Sequence, residues 1–300
     1  MSEPEPLLVV LAAGRARRYG GCKPLAPIGP AGEAVIDLLA SDALAAGFGR
    51  IVLVISPSTG PAIRYHVERT WPRAVDVHFA VQETPKGTAH ALLSASEHLP
   101  AGRSFGVANA DDLYGQEALA LLAGHLAAGA PTSALVGFTL ASAVVGEAPV
   151  TRGVCQVDDQ GLLASIDERR QVFAVGGGRF MAKDGREPSE LDGDALVSMN
   201  LWGFTPTMRG VFERAMAAAT DASEDAEVLL PEVVSELLAA PGGGRGDPAT
   251  TFSVLAAAGR CVGVTHPDDL ALVQADLAGQ VGRGERPGRL FGSLSGARVP

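Results

Sequence analysis

Residues 7–24 read LLVVLAAGRARRYGGCKP, an apolar run followed at once by a loop of small residues that carries three arginines and Lys23. The run predicts a buried β-strand over Leu7–Ala12. Small residues allow backbone N–H groups to close around an anion, and the four cationic side chains supply the opposite charge. The stretch therefore predicts an anion-binding loop at the carboxyl end of the first strand. A solvated basic loop is the alternative.

Outward from this loop, the first 140 residues alternate short apolar runs with stretches of helical spacing. This alternation is typical of a parallel α/β sheet covered by helices. Ligands bind beyond the carboxyl ends of such strands, so the loops after Ala12 and after Asn109 are expected to carry function. The further predicted strands are Ile51–Ser56, Val75–Gln82, Ser104–Asn109 and Thr132–Thr139, and the helices are Ala34–Ala46, Pro61–Arg69, Thr88–His98 and Glu117–Ala128.

From about residue 150 the pattern changes to an antiparallel one. A hairpin is predicted around Asp158–Gly161, followed by a long polar loop that contains Gly176–Gly178. The predicted strands are Arg152–Val157, Leu163–Glu168, Ala195–Phe204, Thr251–Leu255 and Cys261–Val264, and the helices are Pro206–Ala219, Glu227–Ala239 and Asp268–Ala278. Because no break in composition marks a linker, we expect one domain over residues 1–282, with halves 1–140 and 141–282, and a loosely packed tail over 283–300.

Composition narrows the classes of function. The 300 residues are 47% hydrophobic, which is enough for a sizeable core and excludes a disordered chain. The 24 Lys and Arg against 34 Asp and Glu give a net charge of −10, which argues against binding to nucleic acid or to an anionic membrane. No apolar run approaches a membrane span, the N-terminus opens with acids, and three scattered cysteines suit a reducing cytosol, so a cytoplasmic location is expected.

A second motif is QETPKGTAHAL over residues 82–92. Gln82 closes a predicted strand, and a Gly87–Thr88 turn opens a helix. An amide reads a base edge because it carries both a donor and an acceptor, and a helix N-terminus favours an anion. The motif predicts a nucleotide contact, and a simple helix cap by Thr88 is the alternative.

A third motif is ANADDLYG over residues 108–115. Two adjacent acids at the end of a hydrophobic strand are where a complex of magnesium and phosphate would be held. The alternative is a capping pair for the helix after Gly115. The six histidines show no spacing typical of metal ligands.

Together these three stretches resemble the sugar-1-phosphate nucleotidyltransferases, the nucleotide-sugar pyrophosphorylases that include the glucose-1-phosphate thymidylyl- and uridylyltransferases. Further similar segments follow in the same order over nearly the whole chain: GLLASIDER (161–169), VSMNLWGFTP (197–206), EVLLP (227–231) and GVTHPDDL (263–270). The resemblance implies a mostly parallel, Rossmann-like sheet flanked by helices, similar to the GT-A fold, with a more variable sugar-binding second half. It also implies a bacterial enzyme of nucleotide-sugar biosynthesis.

The resemblance also implies roles for particular residues. Arg18 and Lys23 would act on the nucleotide phosphates, Arg169 would grip the sugar phosphate, and Asp111 would bind Mg²⁺. The nucleotide would contact Leu11, Ala12, Ala13, Gly14, Gln82, Gly87 and Thr88. The sugar would contact Asn109, Gly153, Glu168 and Asn200.

Three departures from the family pattern stand out. Ala16 replaces a glycine of the first loop, and Arg169 replaces a lysine, which exchanges a point charge for a planar fork. The second metal-binding acid of the family falls on Gly263 or Thr265, neither of which is a carboxylate. Asp268 or water would then complete the metal shell.

The implied reaction is attack of a sugar-1-phosphate oxygen on the α-phosphorus of an NTP, with release of pyrophosphate. The partners would be these two substrates, without nucleic acid or membrane, and a homo-oligomer is compatible with the pattern. The alternatives are a cytidylyl- or molybdopterin-type nucleotidyltransferase with a non-sugar acceptor, a glycosyltransferase, and a catalytically silent nucleotide-sugar-binding regulator. The presence of Arg18, Lys23 and Asp111 argues against a silent protein.

Overall fold

The computed structural model describes residues 5–14, 21–144, 146, 148–223, 225–240, 247–263, 270–284 and 286–292. Its strands are β1 (Leu7–Leu11), β2 (Arg50–Ile55), β3 (Val77–Val81), β4 (Phe105–Asn109), β5 (Asp112–Leu113), β6 (Ser133–Thr139), β7 (Val150–Val157), β8 (Leu163–Gly176), β9 (Arg179–Ala182), β10 (Glu190–Asp192), β11 (Leu196–Phe204), β12 (Phe252–Ala256) and β13 (Val262–Gly263). Its α-helices are α1 (Val35–Ala45), α2 (Gly60–Thr70), α3 (Gly87–Ser94), α4 (Gln116–Ala127), α5 (Leu140–Ala143), α6 (Pro206–Ala222), α7 (Leu230–Ala239) and α8 (Leu270–Gly282). None of the helices among these residues is both long and apolar enough to cross a membrane.

An eleven-stranded mixed sheet forms the centre of the fold, with the order β10-β9-β8-β7-β11-β4-β1-β2-β3 and with β6 and β12 on the other edge of β11. The strands β4, β1, β2 and β3 run parallel to one another. Leu8 and Val10 of β1 belong to one buried cluster, and Leu7 and Val9 belong to the other. This strand is apolar throughout because a parallel sheet is covered on both faces. The predicted α/β fold with mostly parallel central strands is confirmed.

One edge of β11 is shared by two strands. Near its end, Trp202 pairs with Val107 of β4, whereas Ser198 near its beginning pairs with Gly153 of β7. Between these pairs Asn200 adopts a φ of 59°, and the register against β6 on the other edge shifts. Asn tolerates this left-handed conformation better than most residues. The strands β4 and β7 diverge at this point, and a fork opens at the carboxyl end of β4.

The second half differs from the sequence prediction in several places, and glycine or proline explains two of them. In place of a long polar loop, β8 continues to Gly176, and a tight turn leads into β9. Gly176, Gly177 and Gly178 all have positive φ, which is why glycines stand at this turn. The second difference is that α7 begins three residues later than predicted, with Pro231 in its first turn, a position that suits proline.

The first part of the predicted tail packs against α1. Arg286 forms a bidentate ion pair with Asp42 at 3.1 and 2.6 Å, and both side chains are buried. The backbone N–H of Phe291 donates to the Ser41 hydroxyl at 2.8 Å, and the ring of Phe291 lies 5.6 Å from that of Trp71. Residues 286–292 therefore contribute to the core, whereas residues 293–300 of the predicted tail lie outside the described part of the chain.

We expect Arg286→Ala to lower the free energy of unfolding by about 3–5 kcal/mol, because the Asp42 carboxylate would remain buried without its cation. Burial already raises the pKa of Asp42, and Arg286 opposes that shift. Urea denaturation measures the change. Arg209→Ala is the control, because it removes an exposed pair with Glu213 on α6 and should cost about 0.5 kcal/mol or less. Equal losses in the two variants would contradict a structural role for residues 286–292.

Candidate active site

A cavity of about 360 Å³ lies at the fork between β4, β7 and β11. The fork explains its position, because no strand fills the space between the diverging neighbours of β11. The cavity brings together six residues that the sequence singled out, namely Lys23, Asn109, Asp111, Gly153, Glu168 and Asn200. Lys23, Asn109 and Asp111 come from the first half of the chain, whereas Gly153, Glu168 and Asn200 come from the second.

An ion pair joins the loop after β1 to the loop after β4. The Lys23 ammonium lies 2.6 Å from Oδ2 of Asp111, with side-chain exposures of 18% and 35%. Lys23 is the first residue of a short 3₁₀ turn, and the next residue, Pro24, is buried. The backbone from which the Lys23 side chain extends is therefore held in place. The pair sets a cation and a carboxylate at the carboxyl end of β4, where both remain reachable from the cavity.

Asp112 stands beside this pair and also lines the cavity. Its Oδ2 accepts a hydrogen bond from Nδ2 of Asn109 at 3.0 Å. Burial, reinforced by the charge of Asp111, raises the pKa of Asp112 to about 7. The adjacency of the two acids in the sequence was the signal for this residue, although the family resemblance assigned a role only to Asp111.

Tyr114 ties the two sides of the fork together. Its hydroxyl accepts a hydrogen bond from the backbone N–H of Asn109 at 3.0 Å and donates to the carbonyl of Met199 at 3.0 Å. The N–H of Asn109 and the carbonyl of Met199 lie where the ladder between β4 and β11 stops. The diverging strands cannot pair these two groups with each other, and the Tyr114 hydroxyl pairs with both. Tyr114 is 1% exposed, and burial raises the pKa of its hydroxyl well above the usual value, which keeps it a donor.

The wall of the cavity formed by β7 and β11 is shaped by Gly153 and Asn200. A Cβ at Gly153 would stand 2.9 Å from Cγ2 of Ile166, so only glycine leaves this wall open. The indole N–H of Trp202 donates to Oδ1 of Asn200 at 3.3 Å. An indole can only donate, which fixes the orientation of the Asn200 amide and leaves its Nδ2 as a donor for a ligand.

The structure does not bring Arg169 into this group. Its guanidinium is buried and binds Asp184 at 2.8 and 3.1 Å and the carbonyl of Arg186 at 3.0 Å. Side chains alternate between the faces of a strand, so Glu168 lines the cavity and Arg169 points to the opposite side of β8. The pKa of Asp184 is held well below its usual range by Arg169, so this ion pair persists over the whole physiological range.

Arg152 is the cation that sequence reasoning missed. It lines the cavity from β7, and its guanidinium donates to the carbonyl of Ala143 at 3.1 and 2.7 Å and to that of Thr151 at 2.8 Å. Among the described residues, no carboxylate lies within ion-pair distance of it. A single arginine in a strand carries no motif, and only its position beside Gly153 could have drawn attention to it.

The predicted nucleotide residues lie next to the cavity rather than in its wall. Leu11 to Gly14 continue from the end of β1, where Ala13 is buried and Gly14 is exposed. Gln82 is buried after β3, and its Nε2 lies 3.0 Å from the carbonyl of Gly87 and 3.2 Å from Nδ1 of His90. These positions follow neighbouring parallel strands, as expected for a ligand beyond their carboxyl ends.

Thr88 and Gly87 connect the turn at the start of α3 to α7. The Thr88 hydroxyl accepts a hydrogen bond at 2.9 Å from the backbone N–H of Leu230, the first residue of α7. Gly87 has a φ of 88°, and a Cβ there would collide with the backbone of Val228. The segment before α7 is held tightly against the turn that opens α3.

Several predicted residues lie outside the described part of the chain: Arg18 of the first loop, and Thr265 and Asp268 of the segment expected to hold the second metal ligand. Among the residues that the structure describes, no group of three or more His, Cys, Asp or Glu side chains is arranged to hold a metal ion. Any metal bound at Asp111 would therefore need oxygen ligands from elsewhere, and substrate phosphates commonly provide them.

Residues 8–166, more than half of the chain, match the family model described as the MobA-like NTP transferase domain. No match is found among curated proteins. The solved structures that are similar include HddC from Yersinia pseudotuberculosis, at 16% identity and a TM-score of 0.59 over 90% of this chain and 99% of that one. The same protein complexed with GMP-PN matches at 17% identity, with the same TM-score and coverage.

A putative glucose-1-phosphate thymidylyltransferase from Bacillus anthracis, in complex with a sucrose, matches at 12% identity. Its TM-score is 0.65, and the match covers 90% of this chain and 95% of that one. At such low identities, the likeness to these solved structures shows a shared fold.

We expect Tyr114→Phe to lower the free energy of unfolding by about 1–3 kcal/mol, because it leaves the buried N–H of Asn109 and the carbonyl of Met199 unpaired. Urea denaturation gives the loss, and hydrogen exchange at the Asn109 amide should accelerate. Tyr65→Phe is the matched control, because Tyr65 is 63% exposed. An unchanged exchange rate at Asn109 would show that the hydroxyl does not hold the fork.

Proposed function

The chain belongs to the family of MobA-like NTP transferases, and on that premise we propose that it transfers a nucleoside monophosphate from an NTP to a sugar-1-phosphate, with Mg²⁺ as cofactor. Its activity as a nucleotidyltransferase follows from the family. The acceptor, the metal and the roles of individual residues are the proposed part. Residues 1–140 would hold the nucleotide and residues 141–282 the acceptor, within one domain.

The observation that carries this proposal is the mixed chemistry of the cavity at the fork. Lys23 and Arg152 offer positive charge, whereas Glu168, Asn200 and Glu232 offer acceptors and a donor for hydroxyl groups. A small acceptor with one anionic end and several hydroxyls matches both kinds of group. The volume of about 360 Å³ lies within the range of small-molecule sites.

Asp111 fits the proposed metal. Its carboxylate is a hard oxygen donor, is partly exposed at the carboxyl end of β4, and already attracts a cation, the Lys23 ammonium at 2.6 Å. Mg²⁺, if held by Asp111, would neutralise part of the triphosphate charge. In this arrangement Asp111 also orients Lys23 toward the same phosphates.

The proposed reaction needs no general base, because a phosphate monoester dianion is already a nucleophile. A phosphate oxygen of the sugar-1-phosphate forms a bond to the α-phosphorus, the bond from that phosphorus to the β-bridging oxygen breaks, and pyrophosphate leaves with the electron pair. Catalysis then consists of positioning and charge neutralisation. We assign Lys23 to the α-phosphate and keep Arg18 on the leaving pyrophosphate.

We assign the acceptor phosphate to Arg152 rather than to Arg169. Arg152 lines the cavity without a carboxylate partner among the described residues, whereas the guanidinium of Arg169 is neutralised by Asp184 on the other side of β8. A cation without an ion-pair partner in a cavity is stabilised by an anionic ligand. Arg169 would then be a positioning residue that fixes the strand carrying Glu168.

The proposed reaction predicts that the purified protein with Mg²⁺ releases pyrophosphate from at least one NTP only when a sugar-1-phosphate is added. A coupled pyrophosphate assay over all NTPs and a panel of sugar-1-phosphates measures this. Release that depends only on a non-sugar acceptor would favour the cytidylyl- or molybdopterin-type alternative. No release from folded protein with any pair would refute the proposal.

The assignment of Arg152 predicts that Arg152→Ala weakens binding of the sugar-1-phosphate by about 10- to 100-fold, with little change in NTP affinity, because one charge-assisted contact is lost. Isothermal titration with each ligand separates the two effects. Arg179→Ala serves as the control, because Arg179 is an exposed arginine of the same half.

Arg169→Ala should instead lower the melting temperature. A selective loss of sugar-phosphate affinity in Arg169→Ala, and none in Arg152→Ala, would reverse the assignment.

A further inference from the structure

We propose that Asp112 supplies the second carboxylate of the metal site and replaces, from the opposite strand, the acid that the family pattern puts at position 263 or 265. This inference rests on the proposed function, because it presumes that Asp111 binds a divalent cation. It concerns an aspartate to which the family resemblance gives no role, and it accounts for a glycine where an acid is expected.

The register of the small sheet brings the two positions together. Asp112 of β5 pairs directly with Gly263 of β13 in an antiparallel ladder. A Cβ built on Gly263 would stand 2.5 Å from Oδ1 of Asp112, far closer than two such atoms approach. The Asp112 carboxylate therefore occupies the space in which a side chain at position 263 would begin. An oxygen ligand reaches this space from β5 because β13 has no side chain there.

The bonding of Asp112 leaves one oxygen available. Its Oδ2 accepts the hydrogen bond from Asn109, whereas no described residue donates a hydrogen bond to Oδ1. Lys23 and Arg152 are near enough to favour the charged form of Asp112, but among the described residues neither forms an ion pair with it, and Lys23 pairs with Asp111. Two neighbouring carboxylates at one cavity repel each other unless a cation lies between them.

The chemistry of the pair selects a hard divalent cation. Mg²⁺ and Mn²⁺ prefer oxygen ligands, and Mg²⁺ is commonly held by one or two carboxylates while substrate phosphates and water complete its shell. Asp111 and Asp112 both line the cavity in which the phosphates would lie. The hydrogen bond from the Asn109 amide would then hold Oδ2 and leave Oδ1 as the oxygen offered to the ion.

The test measures Mn²⁺ binding to the full chain directly, by electron paramagnetic resonance of free Mn²⁺ with a non-hydrolysable NTP analogue present. Asp112→Asn should weaken the affinity by at least about tenfold, as loss of a metal ligand requires, while the melting temperature stays close to that of the parent. Asp111→Asn should weaken it too. Glu232→Gln, which removes another acid of the same cavity, should leave Mn²⁺ affinity unchanged.

A pair of exchange variants keeps the inference falsifiable if Asp112→Asn perturbs the fold. Gly263→Asp alone should destabilise the protein, because its side chain collides with the Asp112 carboxylate. The double variant Asp112→Ala/Gly263→Asp should recover Mn²⁺ binding that Asp112→Ala loses. Recovery supports the exchange of a carboxylate across the β5–β13 pair, and a folded double variant without recovery overturns it.

The outcomes separate this inference from the proposed function. Parent-like Mn²⁺ affinity in Asp112→Asn overturns the role of Asp112 and leaves the proposed reaction standing. Failure of the parent protein itself to bind Mn²⁺ with the NTP analogue overturns both the metal part of the proposed function and this inference. Loss of binding in Asp112→Asn supports the inference whichever acceptor the pyrophosphate assay identifies.

Discussion

The candidate site depends on one constraint of sheet geometry, namely that the same edge of a strand cannot pair with two neighbours at the same residue. The strand β11 gives its edge to β4 near Trp202 and to β7 near Ser198, and the left-handed Asn200 lies at the change. The backbone groups left over at the fork would be unpaired without the Tyr114 hydroxyl. The cavity, its opening at the end of β4 and the mixing of the two halves of the chain all follow from this divergence.

Each half of the chain contributes one cation to the cavity, and the two cations differ in what they already contact. Lys23 belongs to the loop after β1 and already lies on a carboxylate, whereas Arg152 belongs to β7 and is held by backbone carbonyls. A carbonyl fixes a guanidinium without neutralising it, so the positive charge of Arg152 stays available to a ligand. Burial lowers the pKa of Arg152, and the nearby charge of Asp112 opposes this, so the group stays protonated at any physiological pH. In the proposed reaction, these two cations would offset the charges of two phosphorylated substrates, which otherwise repel each other.

Local patterns were enough to predict the parallel half of the fold and part of the site. Apolar runs bounded by turns identified β1 to β4, and the ends of those strands identified Lys23, Asn109 and Asp111. The pairing of Arg169 with Asp184 could not be predicted, because it needs β8 to continue past Glu168 into a turn that brings Asp184 back beside it. Arg152 was missed because a single arginine in a strand forms no motif, and its lack of an ion-pair partner among the described residues is visible only in the structure. Sequence patterns indicate which residue types stand together along the chain, whereas the availability of a charge depends on which partner it has already paired with.

The turn that opens α3 is connected to α7, and through α7 to the cavity, by several direct contacts. At this turn, the side-chain amide of Gln82 donates a hydrogen bond to the carbonyl of Gly87. The hydroxyl of the next residue, Thr88, accepts a hydrogen bond from the N–H of Leu230 in α7. Gly87 also packs so closely against the backbone of Val228 that a Cβ at position 87 would collide with it. Because Pro231 and Glu232 of α7 line the cavity, these hydrogen bonds and the close contact of Gly87 with Val228 connect the turn before α3 to the cavity wall. In the proposed reaction, these contacts would hold the two substrates in position relative to each other, and a reaction without a general base depends on such positioning.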